Sequence, residues 1–497
     1  MPADGNAPAV VGTARAARTP ENPGSIPRAR ATRGPARRRA PTKLISILDP
    51  SDPLRSARDF VENYHRVDGI FTLRHHHGVF YGFEDGWYRQ RDRADVRADL
   101  YAFLEAARRR TSGGLEPFRP NRKRIDDVLD ALLAITNLPT SHSAPCWLER
   151  DPGFDPLDIV VCKNGLLYVP TCQLLPHTPA FFTLNGLDLD FDPHAPEPHR
   201  FLKFLRELWP NDRESIQTLQ EWTGYLLTPR TLFQKGLLLI GPRRGGKGTI
   251  GRLIRRVCGE SNVCAPTLAS LTQNFGIAPL IGKTAAIISD ARISGRADTS
   301  VLVERLLSLI GEDDLSVPRK FLHDWNGRHK ARFTVITNEM PRLEDASGAF
   351  ASRFIVLTLT KSFFGREDPR LFESFITESS GILNWALQGW KRLYARGRFL
   401  QPRSSAEVVR DFEELSSPVT AFLRDKCETG PAFTVAKEGL FVVWRNWCQE
   451  HGLERAGTTQ VFARDLKAAC PGLKSSRPRT NSGRERVWKG LRLKAGR

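Results

Sequence analysis

Short apolar runs alternate with helical segments between residues 235 and 360. KGLLLIG, TAAIISD, ARFTVITN and RFIVLTL are rich in Ile, Val and Leu, which predicts strands buried on both faces. Such strands separated by helices predict an α/β core with a mainly parallel sheet. Upstream, residues 78–90 alternate aromatic positions around Asp85-Gly86, and residues 158–169 form two apolar runs around Asn164-Gly165. Both patterns predict hairpins. Residues 95–110 and 123–135 predict amphipathic helices, and 198–227 has helical spacing through Phe201, Phe204, Leu205 and Leu208. A further amphipathic helix is predicted over 381–400. Several short helical stretches then precede a closing VWKGLRL strand, the pattern of a small helical or winged-helix domain. Residues 1 to about 45 are rich in Pro, Ala, Gly and Arg without any period, which predicts disorder. The expected layout is a basic disordered segment (1–50), a mixed α/β domain (51–230), a nucleotide-binding core (231–400) and a carboxyl-terminal domain with a basic tail (401–497).

Composition narrows the class. A hydrophobic share of 40% with ten Trp supports packed cores rather than disorder. No apolar run is long enough to span a membrane, so a soluble, cytoplasmic protein of a bacterium or phage-infected host is expected. The formal charge of +19 favours a phosphate polymer as partner. Residues 1–43 carry nine Arg/Lys against Asp4 and Glu21, and the stretch from Lys467 to Arg497 is also basic. Those ends read as polyanion-binding or solvated arms, Arg37-Arg38-Arg39 included. Eight Cys without a CxxC pair read as reduced thiols, and His75-His76-His77 as a strand-edge or loop cluster rather than a metal site.

The chemistry concentrates in the core. Residues 241–249 read GPRRGGKGT directly after an apolar strand and before a helical IGRLIRRVCG. That context identifies a phosphate-binding loop for a nucleoside triphosphate, ATP above all. Gly241, Pro242, Arg243, Arg244, Gly245, Gly246, Lys247, Gly248 and Thr249 form the binding loop, its glycines let backbone N–H groups converge on the phosphates, and Lys247 neutralises the β/γ-phosphates. Gly248 stands where Ser or Thr usually meets Mg2+, so Thr249 is the candidate hydroxyl. AAIISD ends in Asp290, an acid placed to hold the metal directly or through water. ARFTVITN ends in Asn338, an amide suited to polarising an attacking water. Arg353, before the fourth strand, suits an arginine finger toward a neighbouring subunit, or a plain surface arginine. Arg319 and Lys320, then Arg328, His329 and Lys330, flank a turn expected at Asn326-Gly327. Basic residues there suit contact with a nucleic-acid backbone, and a solvated loop is the alternative.

In order, GPRRGGKGT, IISDA, IGEDDLSVPRKF, FTVITNEMP and ASRF resemble the motifs of superfamily 3 helicases, in particular the helicase half of phage and plasmid primase-helicases and their poxvirus relatives. WLERDPGFDPLDIVVCKNGLLYVPTCQLLPHTP resembles that family's upstream domain, and the likeness covers roughly residues 55–450. The resemblance implies an AAA+-like P-loop NTPase core, a ring of subunits (usually six), and movement along single-stranded DNA at a replication origin or fork. It implies that Lys247 and Thr249 bind phosphate and Mg2+, and that Asp290 fills the Walker B position. Asn338 is then the sensor, Arg353 the trans-acting finger, and Lys320 part of the DNA-contacting motif. Two positions depart from the family: Gly245 where Asn is common, and Asp290 where Glu is common. The polymerase-type domain of many relatives is not expected here, so a separate primase would supply primers. Two other readings stay open. A nucleotide kinase is suggested by GKGT alone, and a DNA-binding regulator that binds ATP without turnover by the single acid at Asp290.

Overall fold

The computed structural model describes residues 45–494 apart from 150, 290, 292–298, 342, 344, 346–348, 453–455, 478, 481–482 and 485. The disorder predicted for residues 1 to about 45 therefore falls almost wholly outside the described residues, as does Asp290.

The amino-terminal lobe begins with helix Pro53–Tyr64, whose Asp52 side chain accepts from Arg55 N–H at 2.9 Å and caps its first turn. Helices Arg93–Ala106 and Arg122–Ile135 close a core of Phe60, Leu100, Phe103, Ile125 and Leu129. The predicted hairpin at Asp85-Gly86 is present, with both turn residues at positive φ between strands Val79–Glu84 and Trp87–Arg91. The second one turns at Lys163-Asn164, one residue earlier than predicted, because Cys162 pairs with Gly165. The helix predicted over 95–110 stops at Ala106. Arg108–Thr111 instead forms a strand paired with Gly114–Pro117.

The central sheet has five parallel strands: β1 (Gly236–Ile240), β2 (Val263–Cys264), β3 (Ala285–Ser289), β4 (Arg332–Thr337) and β5 (Phe354–Thr358). Their order is β2-β3-β4-β1-β5, so β4 lies between β1 and β3. All four predicted strands are present, and β2 is the addition. Alternation sends Leu237 and Leu239 into one core and Leu238 and Ile240 into the other, which is why the strand reads as a continuous apolar run. The first core holds the helices His199–Leu208, Arg213–Leu227, Lys247–Cys258 and Ser379–Arg396, and the second holds Thr299–Gly311.

The helical stretch predicted over 198–227 is two helices, broken where Asn211 adopts positive φ. The second crosses Ser379–Arg396 at two glycines. A Cβ on Gly224 would lie 2.2 Å from the Ala386 carbonyl oxygen, and one on Gly389 would lie 2.4 Å from that of Gln220. Only backbone against backbone fits at this crossing. The carboxyl-terminal lobe runs helix Pro418–Lys426, strand Cys427–Ala436, helices Lys437–Glu450 and Thr459–Ala469, strand Lys474–Ser476, a short hairpin and strand Val487–Leu493. Its core is Phe422, Leu440, Trp444, Trp447, Phe462, Leu466 and Trp488. No described helix is long and apolar enough to cross a membrane.

Candidate nucleotide site and basic hairpin

The loop after β1 takes its shape from its glycines. A Cβ on Gly241 would meet Leu359 Cβ and its carbonyl oxygen, both at 2.7 Å. Gly246 sits at φ +87, the left-handed region, with Leu208 Cδ2 at 2.9 Å from where a Cβ would be. Gly248 has open space around it, so nothing in the packing requires glycine there. The helix Lys247–Cys258 starts directly after Gly246. Thr249 N–H donates to the Gly246 carbonyl oxygen at 3.1 Å, and the start of any helix leaves N–H donors without a partner from the preceding turn. With the axial dipole they favour an anion at this end.

Lys247 is buried, and its ammonium donates to the carbonyl oxygens of Gly241 and Pro242, each at 2.7 Å. Burial pulls its pKa below the usual lysine value. Around it opens a cleft of about 1280 Å3, which Thr249 and Asn338 also line. Asn338 reaches it because β4 lies beside β1, with Thr337 opposite Ile240. The Thr337 hydroxyl donates to the Glu339 carbonyl oxygen at 2.7 Å and accepts from its N–H at 3.3 Å, which bends the chain at Asn338. Ser289, the last residue of β3, stands opposite Ile336.

The cleft also holds cations that no motif announced. Arg200 and Lys203 come from the helix His199–Leu208, Arg252 from the loop's own helix, and Arg366 from the segment after β5. The Glu378 carboxylate fixes the first of these helices by accepting from Arg200 and Phe201 N–H, both at 3.0 Å. Glu207, Glu367 and Asp368 are the acids of the lining, and Glu367 pairs with Arg244 at 3.4 Å.

Arg353 stands at the other end of the sheet. It precedes Phe354, which pairs with Gly236 at the start of β1, about 17 Å of strand from the loop. The guanidinium donates to Gln234 Oε1 at 2.5 Å, and Gln234 in turn donates to the Gly311 carbonyl oxygen at 3.1 Å. It is therefore not part of its own chain's loop site.

The predicted basic turn is corrected. Strands Asp314–Arg319 and Leu322–Arg328 pair with Ser316 opposite Asn326 and Leu315 opposite Gly327, so Asn326-Gly327 lies inside a strand. The turn is Lys320-Phe321. Phe321 has φ +61 and a relative exposure of 102%, and Lys320 Nζ lies 5.6 Å from the ring centroid of the exposed Phe275. The predicted basic residues have different surroundings, and His329 is buried. Lys320 is exposed at the tip. Arg328 is exposed at the hairpin base, 3.2 Å from Asp314. Arg319 is engaged internally, donating to the His323 carbonyl oxygen at 2.7 Å and that of His77 at 2.9 Å. Lys330 is turned inward onto the Ala144 carbonyl oxygen, and burial lowers its pKa to about 8. Arg319 and Lys330 thus hold backbone carbonyl oxygens, whereas Lys320 and Arg328 are exposed. Phe321 is the residue that sequence reasoning missed, since a lone Phe among charges carries no motif.

All eight Cys are free, and among the described residues no His, Cys, Asp or Glu group is arranged to hold a metal ion. His76 Nδ1 lies 3.0 Å from the Leu138 carbonyl oxygen, at the end of a strand in the amino-terminal lobe.

A family profile described as a family of unknown function, DUF5906, matches residues 239–353. No curated protein matches the chain. Among solved structures, the apo C-terminal region of NrS-1 is similar at 12% identity and a TM-score of 0.49, covering 88% of this chain and 100% of that one. A second apo structure of that region, spanning 305–718 of NrS-1, is similar at 14% identity and a TM-score of 0.43, covering 61% and 77%.

Proposed function

We propose that the protein is an ATP-driven motor acting on single-stranded DNA, a helicase serving phage or plasmid replication. The observation that carries the reading is the place of β4 between β1 and β3. It brings Asn338 to the cleft that Lys247 lines, while the same strand is preceded by the hairpin that exposes Lys320 and Phe321. One strand thus links the nucleotide cleft to a surface with a cation and an aromatic ring, the pair of groups that bind single strands.

In this reading Lys247 and the loop N–H groups hold the triphosphate. Thr249, which lines the cleft, and Asp290 would hold Mg2+, whose charge neutralises the phosphates. Asn338 orients the attacking water. Arg353, remote from its own loop, serves the ATP of a neighbouring subunit, which requires an oligomer, and a six-membered AAA+-like ring satisfies that. The helix–strand–helix–helix–strand–hairpin–strand order of the carboxyl-terminal lobe supports a winged-helix DNA-binding domain.

The test is ATP turnover with and without single-stranded DNA, in the wild-type protein and in Lys247→Ala. Turnover stimulated by DNA and lost in the folded variant is the expected result. Undiminished turnover in the variant removes the site. ATP binding without any turnover favours a DNA-binding regulator instead.

A further inference from the structure

The amino-terminal lobe carries a second concentration of positive charge. Between Ala107 and Ile125 the chain has seven Arg/Lys and a single acid, Glu116. The 108–117 hairpin pairs Arg108 with Pro117 and Arg110 with Leu115, and Glu116 is occupied by Arg109 at 2.7 Å. Arg108 and Arg110, two residues apart, lie on the same face of the strand, and both are exposed. Phe118 N–H donates to the Ala107 carbonyl oxygen and extends the pairing, so the exposed Arg119 follows at the hairpin's open end.

Arg124 then ties the next helix to the same place. Its guanidinium donates to the carbonyl oxygens of Phe118 at 3.1 Å and Arg119 at 2.7 Å. The first turn of Arg122–Ile135 thereby presents exposed Arg122 and Lys123 next to the hairpin. The nearest acid to Arg122 is Asp126 at 3.8 Å, and the arginine side chain is 91% exposed, so the pairing neutralises little.

We propose that Arg108, Arg110, Arg119, Arg122 and Lys123 form a nucleic-acid surface separate from the 314–328 hairpin, one that holds the sugar-phosphate backbone. Five exposed cations with their local acids already engaged repel one another, and a polyanion relieves that repulsion. The patch offers no stacking platform. Phe118 is 1% exposed, and the exposed apolar side chains beside the patch, Leu115 and Ile47, are aliphatic. Contact is therefore with phosphates, tolerant of sequence and sensitive to salt. The inference stands independently of the ATPase reading, because it uses no residue of the nucleotide cleft.

The experiment replaces all five with Gln in the full chain and measures affinity for a labelled mixed-sequence oligonucleotide across a salt series. Each lost phosphate contact lowers the slope of log affinity against log salt by about 0.7 on a single strand, so full engagement predicts a drop of about 3.5. At low salt the affinity falls by at least about tenfold. A control variant neutralises Lys163, Arg213, Arg398, Arg403 and Arg410, exposed cations elsewhere. An unchanged slope overturns the proposal, and so does an equal loss in the control, which would assign the effect to net charge. Should the five-residue variant unfold, Arg110→Gln with Lys123→Gln is expected to lower the slope by about 1.4, and no change there overturns the proposal equally.

Discussion

Phe321 offers the cleanest separation of binding from folding in this protein. The side chain is fully exposed, so Phe321→Ala removes no buried apolar area and leaves no cavity. Its φ of +61 is as awkward for Ala as for Phe, so backbone strain cancels between the two. The expected change in stability is within about 0.5 kcal/mol, the usual range for surface substitutions. Base–aromatic stacking contributes about 1–3 kcal/mol per base, which corresponds to a loss of affinity for single-stranded DNA of roughly 5- to 150-fold. Fluorescence anisotropy with a labelled oligonucleotide reads the affinity, and a denaturant titration reads the fold. Phe321→Trp keeps a ring at the tip and should bind within a few-fold of wild type. Unchanged affinity in Phe321→Ala refutes the stacking role. A loss accompanied by a large shift in the denaturant midpoint refutes the claim that the ring contributes only to binding.

Other residues are testable on the same protein. Arg353→Ala should lower the maximal ATPase rate while leaving ATP affinity intact, and a wild-type rate would remove the subunit-interface role. Gly389→Ala should destabilise by about 1–3 kcal/mol, because the new Cβ meets the backbone of Gln220 rather than a movable side chain; an unshifted denaturant midpoint would mean that the helices separate freely. His329 is buried, with Nε2 2.8 Å from the Leu280 carbonyl oxygen and Nδ1 accepting from Ala331 N–H at 3.1 Å, an arrangement for the neutral ring. Burial lowers its pKa to about 4. The unfolded chain, at about 6.5, therefore binds the proton first, and stability falls by up to about 3 kcal/mol as pH drops from about 6.5 to 4. His329→Leu should flatten that part of the pH profile, and an identical profile would exclude His329 as its source.

Much of the core was legible because its signals are local. Four buried strands announced themselves as apolar runs, and the loop as glycines around Lys247. Asn338 stood out as an amide ending one of those runs. What escaped depends on pairing. Nothing in VITN says that β4 inserts beside β1, and β2 is two residues whose strand character comes from its neighbour. Arg108–Thr111 reads as the tail of a helix because its charges hide the alternation that pairing with Gly114–Pro117 imposes. The Asn326-Gly327 signal was outweighed by register, which placed the turn at Lys320-Phe321 without any of the usual turn residues. The cleft's Arg200 and Lys203 lie more than 35 residues before the loop in sequence, and only tertiary packing brings them to it.

The bond from Arg319 to the His77 carbonyl oxygen has a mechanical consequence. A hydrogen bond is lost beyond roughly 3.5 Å, so this one tolerates only a fraction of an ångström of slip from its 2.9 Å. Any larger displacement of the hairpin tip must either break that tether or carry the His77-Gly78 turn along with it. Under the proposed motor function, the amino-terminal lobe would act as a load on that movement, and the force needed to part Arg319 from His77 would be one of the quantities that set the step.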